Sequence, residues 1–400
     1  MKKIAFIVRD LAGGGVERTL FNLMSAIDKT KYAVTLLVFS NTGKMVSEIP
    51  NGVKVVDLSL MHYRFGRVMF ESKRDFLRLM KKGKIISAVD LAIFDRKSNQ
   101  IAAKQGGEAM YHYYAKKIPA LRETFDLAVD FYGYGDYTGA YVIDKITAKK
   151  KATWIHDENQ SWTKAMVGYY PKFDKIFACS KRCADNFCRT FPQLTEKVEV
   201  LYNLIPVDMI RQMAKNDIPR LSERTNLLTV GRLSKQKGYD IAIEAAKLMK
   251  RKNVSFTWYF VGSGVEEAAL KQMVRQYGLE DQIVFCGFDL NPYRYMTACD
   301  LYVQPSRHEG YCTTITEAFV LGKAIVAADV SGVREQIIHK QTGWILEEIT
   351  PECIAETLEM LINDSDKRKD IQRTVAEKSV DFDSELEKLY ALVSGEKEDE

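Results

Sequence analysis

Four short segments combine glycine with cationic, acidic or hydroxyl side chains. Val230-Gly231-Arg232-Leu233-Ser234-Lys235-Gln236-Lys237-Gly238 puts a guanidinium, Arg232, and an ammonium, Lys237, in one loop. Two such cations neutralise a diphosphate and stabilise its departure. A solvated basic loop would have the same composition; the place of this one, directly after the strand-like run 227–230, favours chemistry. Residues 305–318 read PSRHEGYCTTITEA, with Glu309 and Glu317 eight residues apart. Acids so spaced can address different hydroxyls of one ligand. The N–H groups of Cys312, Thr313 and Thr314 open a helix toward a phosphate. An exposed helix start accommodates either glutamate by itself, but it explains less well the pair with Gly310 on an otherwise apolar helix. Gly13-Gly14-Gly15-Val16-Glu17-Arg18 follows the first strand. Glycines there admit close approach by a phosphate, and a plain flexible turn competes evenly. The spacing is neither G-x-G-x-x-G nor a P-loop. Trp154-Ile155-His156-Asp157-Glu158 ends another strand and would aim His156 at a ligand, with a satisfied structural histidine as the competing reading.

These loops need elements to hold them. Apolar runs of strand length occur at 3–8, 34–39, 53–58, 126–131, 152–156 and 175–179, with helical spacing between most of them, beginning at 16–27. The alternation restarts with strands at 227–230, 255–261, 283–286, 301–304, 324–328 and 344–346 and helices at 239–250, 265–277 and 313–321. Continuous apolar strands separated by helices predict parallel sheets covered on both faces. The expected fold class is α/β, with two doubly wound, Rossmann-like domains whose strand ends face a cleft. The chain divides on this reading into residues 1–203, a proline-bracketed linker at 204–225, a second domain at 226–380 and a charged helix and tail at 381–400. A length of 400 residues fits two or three domains, at roughly 150 each.

The four segments together resemble the retaining GT-B glycosyltransferases of family 4, the group 1 glycosyltransferases. The matching residues are Gly14-Gly15 with Glu17-Arg18, Gly231-Arg232 with Lys237, and Glu309 with Glu317, in the family's order and spacing. The resemblance covers nearly the whole chain and is strongest over 227–344. It implies a nucleotide diphosphate sugar as donor substrate, with neither cofactor nor metal. Arg232 and Lys237 would bind the donor diphosphate, Glu309 the donor sugar near its anomeric carbon, and Glu317 the ribose. Gly14, Gly15, Gly310, Cys312, Thr313 and Thr314 would shape the phosphate site, His156 would contact the transferred sugar, and the base would lie near 284–288. Residues 1–203 would meet the acceptor, a glycan such as a lipid-linked precursor of surface polysaccharide. The family commonly reads Glu-Gly-aromatic-Gly where this chain has Glu309-Gly310-Tyr311-Cys312. The departure bears on phosphate geometry and sugar preference and keeps the N–H donors. Retention in the family is ascribed to attack on the front face, and no protein nucleophile is assigned.

Charge is unevenly spread. Residues 1–203 hold 33 Lys+Arg and 21 Asp+Glu, so +12, and residues 204–400 hold 25 and 32, so −7, which sum to the net +5. The densest basic stretch, 62–84, carries eight Lys or Arg against two acids, interleaved with Phe and Met. Such a stretch suits an anionic membrane surface, with a surface helix packed on its own domain as an even rival. No nucleic-acid motif accompanies it. Aromatic runs at 111–114 and 132–141 suit an acceptor groove or a core. The seven cysteines lack a C-x-x-C pair, and the spacing of Cys179, Cys183 and Cys188 suits no zinc site. Asp364/Asp366 and Asp381/Asp383 form D-x-D triplets in the charged tail and read as solvated. The first apolar run is too short for a signal peptide and no run spans a bilayer. The expected location is the cytoplasm, peripheral on the inner face of the cell membrane. Rival readings at this stage are a nucleotide-sugar epimerase of the same fold, a non-catalytic sugar-nucleotide-binding protein, and a dinucleotide oxidoreductase. For the last, Val261-Gly262-Ser263-Gly264 offers a partial fingerprint, with Glu267 where the third glycine belongs.

Overall fold

The computed structural model describes the chain except for residues 12–13, 41–42, 44, 59–75, 78–79, 82, 84, 378–382 and 396–400. Gly13, Asp381, the acidic end and all of the basic segment 62–84 but Phe76, Leu77, Met80, Lys81 and Gly83 therefore lie outside the described residues. Two compact units form. One comprises residues 1–179, 183–204 and 383–400, the other 180–182 and 205–382.

The first unit holds seven parallel strands: β1 (Lys2–Asp10), β2 (Tyr32–Ser40), β3 (Lys54–Asp57), β4 (Thr124–Asp130), β5 (Thr147–Ile155), β6 (Lys175–Ala178) and β7 (Val198–Val200). Their order is β3-β2-β1-β4-β5-β6-β7. The central strands are buried on both faces, with Ile4, Ala5, Phe6 and Ile7 fully covered. That is why they read as unbroken apolar runs. The sheet winds outward in both directions from β1 and β4, so their carboxyl ends flank a switch point where the first crossover helices diverge.

The second unit repeats the plan with β8 (Thr225–Val230), β9 (Phe256–Val261), β10 (Ile283–Gly287), β11 (Leu301–Gln304), β12 (Ala324–Ala328) and β13 (Trp344–Leu346), ordered β10-β9-β8-β11-β12-β13. All pairings are parallel. Here the switch point lies between β8 and β11.

Three features differ from the sequence reading. Strand β7 has three residues, Val-Glu-Val, too few for a period to register. The stretch read as a linker carries a helix, Val207–Met213, and its Ile205, Ile210 and Ala214 are buried in the second unit's core. The closing helix, Asp383–Ser394, belongs to the first unit. Its Leu389 is fully buried and Tyr390 stacks on Tyr32 with ring centroids 4.6 Å apart. The Tyr202 N–H donates to Glu385 at 2.8 Å, and Lys388 Nζ donates to the Val200 carbonyl at 2.9 Å. No helix among the described residues is long and apolar enough to cross a membrane.

Candidate active site

Strands β8 and β11 are neighbours, so the loops leaving their carboxyl ends lie side by side. The loop after β8 runs through Gly231 and Arg232 to a 3-10 turn, Lys235–Lys237, and then to the helix Tyr239–Arg251. Gly238 joins turn to helix with φ +70°, and a Cβ placed there would sit 2.0 Å from the Pro305 carbonyl oxygen. Only glycine meets both conditions. The two loops are laced further by the Arg307 N–H to Gln236 carbonyl bond at 2.8 Å. Gln236 Nε2 donates to the His308 carbonyl at 3.1 Å, and a two-pronged Arg307–Asp240 pair holds at 2.7 Å on each prong.

This lacing brings the sequence candidates of the second unit together. Lys237 Nζ donates to Glu309 Oε1 at 2.6 Å, and both side chains are largely buried. Burial alone would lower the Lys237 ammonium. The Glu309 carboxylate outweighs it, so the ammonium ends above its usual value and stays charged. Arg232 is exposed and has no ion-pair partner among the described residues, and its charge presses on Lys237. The helix Thr313–Val320 starts at the buried Cys312. The Cys312 thiol is pushed up to about 12, first by burial and then by Glu309, so it remains protonated. Cys312 Sγ and Thr314 Oγ1 are 3.2 Å apart. The Thr313 and Thr314 N–H groups head the helix, where no preceding turn supplies acceptors. Gly310 is buried between Glu309 and this helix. Glu317, one turn in, is buried and accepts the Tyr293 hydroxyl at 3.3 Å. Val284, near the start of β10, and Phe288, just past its end, expose their apolar side chains.

The remaining candidates belong to the first unit. Gly14 caps the helix Gly15–Ala26 after β1 in extended conformation, and nothing lies within 4 Å of a Cβ built on Gly15. His156 follows β5. Its Nε2 lies 2.7 Å from the Phe131 carbonyl, which can only accept, so Nε2 carries the proton and Nδ1 presents a lone pair. Packing among Phe131, Tyr134 and Trp154 covers part of the ring, and this desolvation pushes its pKa down to about 4. A neutral ring at physiological pH can receive a hydroxyl hydrogen bond at Nδ1.

Several residues were not singled out from sequence. Tyr302, Gln304 and Ser306 are fully buried beneath Glu309. The signal was a glutamine ending the otherwise apolar run LYVQ. In the first unit Asp130 is buried with Asp136. It accepts the Thr138 and Thr153 hydroxyls at 2.7 and 2.9 Å. Burial, reinforced by Asp136, raises Asp130 to about 7. Nothing in a lone Asp-Phe at a strand end distinguishes it from a solvated acid.

Two parallel sheets, each wound from its centre, with basic and acidic groups at the β8 and β11 ends, match known proteins over the full length. Residues 211–378 fit the family model for glycosyl transferases group 1. Over those residues the chain is similar to the group 1 glycosyltransferases. The N-acetylgalactosamine-N,N'-diacetylbacillosaminyl-diphospho-undecaprenol 4-alpha-N-acetylgalactosaminyltransferase of Campylobacter jejuni is 25% identical over 387 residues, 96% of each chain. The fold is GT-B. HepE of Anabaena, solved with UDP and glucose, superposes with a TM-score of 0.68 at 20% identity, over 98% of this chain and 100% of that one. A TarM variant of S. aureus, solved with UDP among its ligands, gives 0.71 at 15% identity over 98% and 100%. The chain is thus a glycosyltransferase, and the doubly wound pair expected from sequence is its fold.

Proposed function

We propose that this glycosyltransferase moves a sugar from a nucleotide diphosphate donor to a lipid-linked glycan, with retention of anomeric configuration. The observation that carries the reading is the convergence of Arg232, Lys237, the helix start at Thr313 and Glu309 on the adjacent ends of β8 and β11. Cations and N–H groups there suit a departing diphosphate, and a carboxylate beside them suits the hydroxyls of the sugar. Glu317 would take the ribose, and the exposed Val284 and Phe288 would lie against the base. Arg232 and Lys237 would supply the leaving-group charge stabilisation, so EDTA-treated enzyme should retain activity. UDP in the solved neighbours makes uridine nucleotides the first donors to test. The Campylobacter relative's undecaprenol-linked substrate supports a lipid-linked acceptor.

Such an acceptor places the enzyme at the inner face of the cell membrane. The helical segment Ile85–Lys117, which is broken at Gly106, supports this through its first part. Ile85, Ile86, Val89 and Ile93 are 49 to 76% exposed. At 100° per residue they share an arc with the exposed Arg96, Lys97 and Lys104. An apolar strip continued by cations suits an anionic bilayer.

The direct test is nucleotide release. Wild-type enzyme with UDP-sugars and a membrane extract should release UDP, and Glu309→Gln should lower kcat/KM by about 100-fold or more. Undiminished transfer by that variant would sink the site assignment. A product of inverted configuration, seen in the anomeric proton coupling, would sink retention.

A further inference from the structure

The two oxygens of Glu309 are not equivalent. Oε1 receives Lys237 Nζ at 2.6 Å, Ser306 Oγ at 2.6 Å and, more distantly, Gln304 Nε2 at 3.4 Å. Oε2 has no hydrogen bond among the described residues. Beneath lies a chain of polar groups in which Tyr302, Gln304 and Ser306 are fully buried and Thr314 is partly buried. Gln304 Nε2 is 2.7 Å from Ser306 Oγ, and Gln304 Oε1 is 2.6 Å from the Tyr302 hydroxyl and 3.2 Å from the Thr314 hydroxyl. Chemistry fixes the direction of every bond. A carboxylate only accepts, so Ser306 donates to it. The Ser306 oxygen then accepts from the amide nitrogen of Gln304. The amide oxygen accepts from Tyr302 and Thr314. Each donor points toward Glu309, and bonds so aligned polarise one another.

This chain answers a problem set by the site itself. A diphosphate bound between Arg232 and the helix start would draw Lys237 toward itself. Glu309 would then be a buried carboxylate deprived of its ion-pair partner Lys237, which is costly unless other donors remain. Ser306 and Gln304 are neutral, immobile in the packed interior, and have no other use for those hydrogens.

We propose that Gln304 and Ser306 are positioning residues for sugar transfer. They hold Oε1 of Glu309 so that Lys237 can turn to the donor diphosphate while Oε2 stays open to a hydroxyl of the donor sugar. The inference rests on the roles given to Glu309 and Lys237 above and names residues that those roles do not include. Tyr302 and Thr314 act one step further back, by fixing which way the Gln304 amide faces. The link from Thr314 also ties the carboxylate's support to the first turn of the phosphate-facing helix.

The test uses the full-length enzyme and three variants: Gln304→Leu, Ser306→Ala and, as the conservative control, Ser306→Thr. UDP, which lacks the sugar, is the binding probe by calorimetry. Turnover is read with whichever UDP-sugar stabilises the wild type most. Gln304→Leu and Ser306→Ala should lower kcat by about 10- to 100-fold, a misplacement effect. UDP affinity should change less than about twofold, and Ser306→Thr should recover most of the rate. Unchanged kcat in both variants, while Glu309→Gln abolishes transfer, overturns the inference and leaves the function standing. So does a loss of rate that tracks weaker UDP binding and a lower unfolding midpoint in Ser306→Ala as well as Gln304→Leu. Full activity of Glu309→Gln overturns the parent assignment and this one with it.

Discussion

Two titratable groups in the first unit, the buried Asp130 and the partly buried His156, respond to pH with opposite sign. Folding raises Asp130 from 3.8 to about 7. Between those values the folded chain keeps a proton that the unfolded chain has lost. Its contribution to stability therefore falls as pH rises through this window and is level above it. Folding lowers His156 from 6.5 to about 4. There the unfolded chain holds the extra proton, so stability rises with pH across that window and is level above 6.5. Asp130→Asn keeps the shape, and its amide can meet the same Thr138 and Thr153 hydroxyls. It should stabilise the protein by on the order of 2 kcal/mol at pH 8 and by clearly less at pH 5. Urea titrations at the two pH values check this, and an equal gain at both would refute the assignment of the raised group. At the same scale, His156→Gln should cost transfer rate while leaving UDP affinity within about twofold, because a ring with only Nδ1 free offers one acceptor to one hydroxyl. Isothermal titration beside turnover separates the two.

The site depends on a junction between elements more than on any single charged group. Gly238 lets the turn that carries Lys237 pass against the last carbonyl of the β11 end. Gly238→Ala should cost about 1–3 kcal/mol through its positive φ and more through the blocked approach. It should also weaken UDP binding by at least about tenfold, measured by calorimetry on protein shown to be folded. Retained affinity would mean that the loop can be held without this contact. Sequence made such elements visible where burial was complete. Every strand of the two sheets but β7 was legible, the central ones because a central parallel strand must be apolar on both faces, and the edges β3, β10 and β13 because they are short β-branched or aromatic runs. So were the charged ends of β8 and β11, since position after an apolar run is itself a pattern. The helix Val207–Met213 was hidden between prolines among polar residues, with Ile210 alone reaching the core. The Gln304–Ser306 chain was hidden because hydrogen-bond direction is a property of three dimensions. The return of the closing helix to the first unit was hidden because charge dominated its composition, while its contacts rest on Leu389 and Tyr390.

For the whole molecule, the charge split noted in the sequence acquires two different salt sensitivities. Binding of vesicles containing phosphatidylglycerol should weaken steeply between 0.1 and 0.5 M salt, as exposed Arg96, Lys97 and Lys104 are screened. UDP held by the largely buried Lys237 should lose less. Co-sedimentation and calorimetry across the same salt series test this, and parallel losses would remove the distinction. Ile86→Asp with Val89→Asp should abolish co-sedimentation without altering UDP affinity. Removing residues 383–400 should leave UDP binding nearly intact while exposing 1–204 to protease, because the helix Asp383–Ser394 belongs to that unit and bonds to Asp28 and Val200. The same discontinuity governs birth of the protein on the ribosome. The second unit is almost entirely one stretch of chain and can complete itself as soon as residue 382 emerges. The first unit lacks the helix Asp383–Ser394 until residues 205–382 have been made. Tyr32 must therefore wait, through the synthesis of some 180 intervening residues (205–382), for the Tyr390 ring that stacks on it.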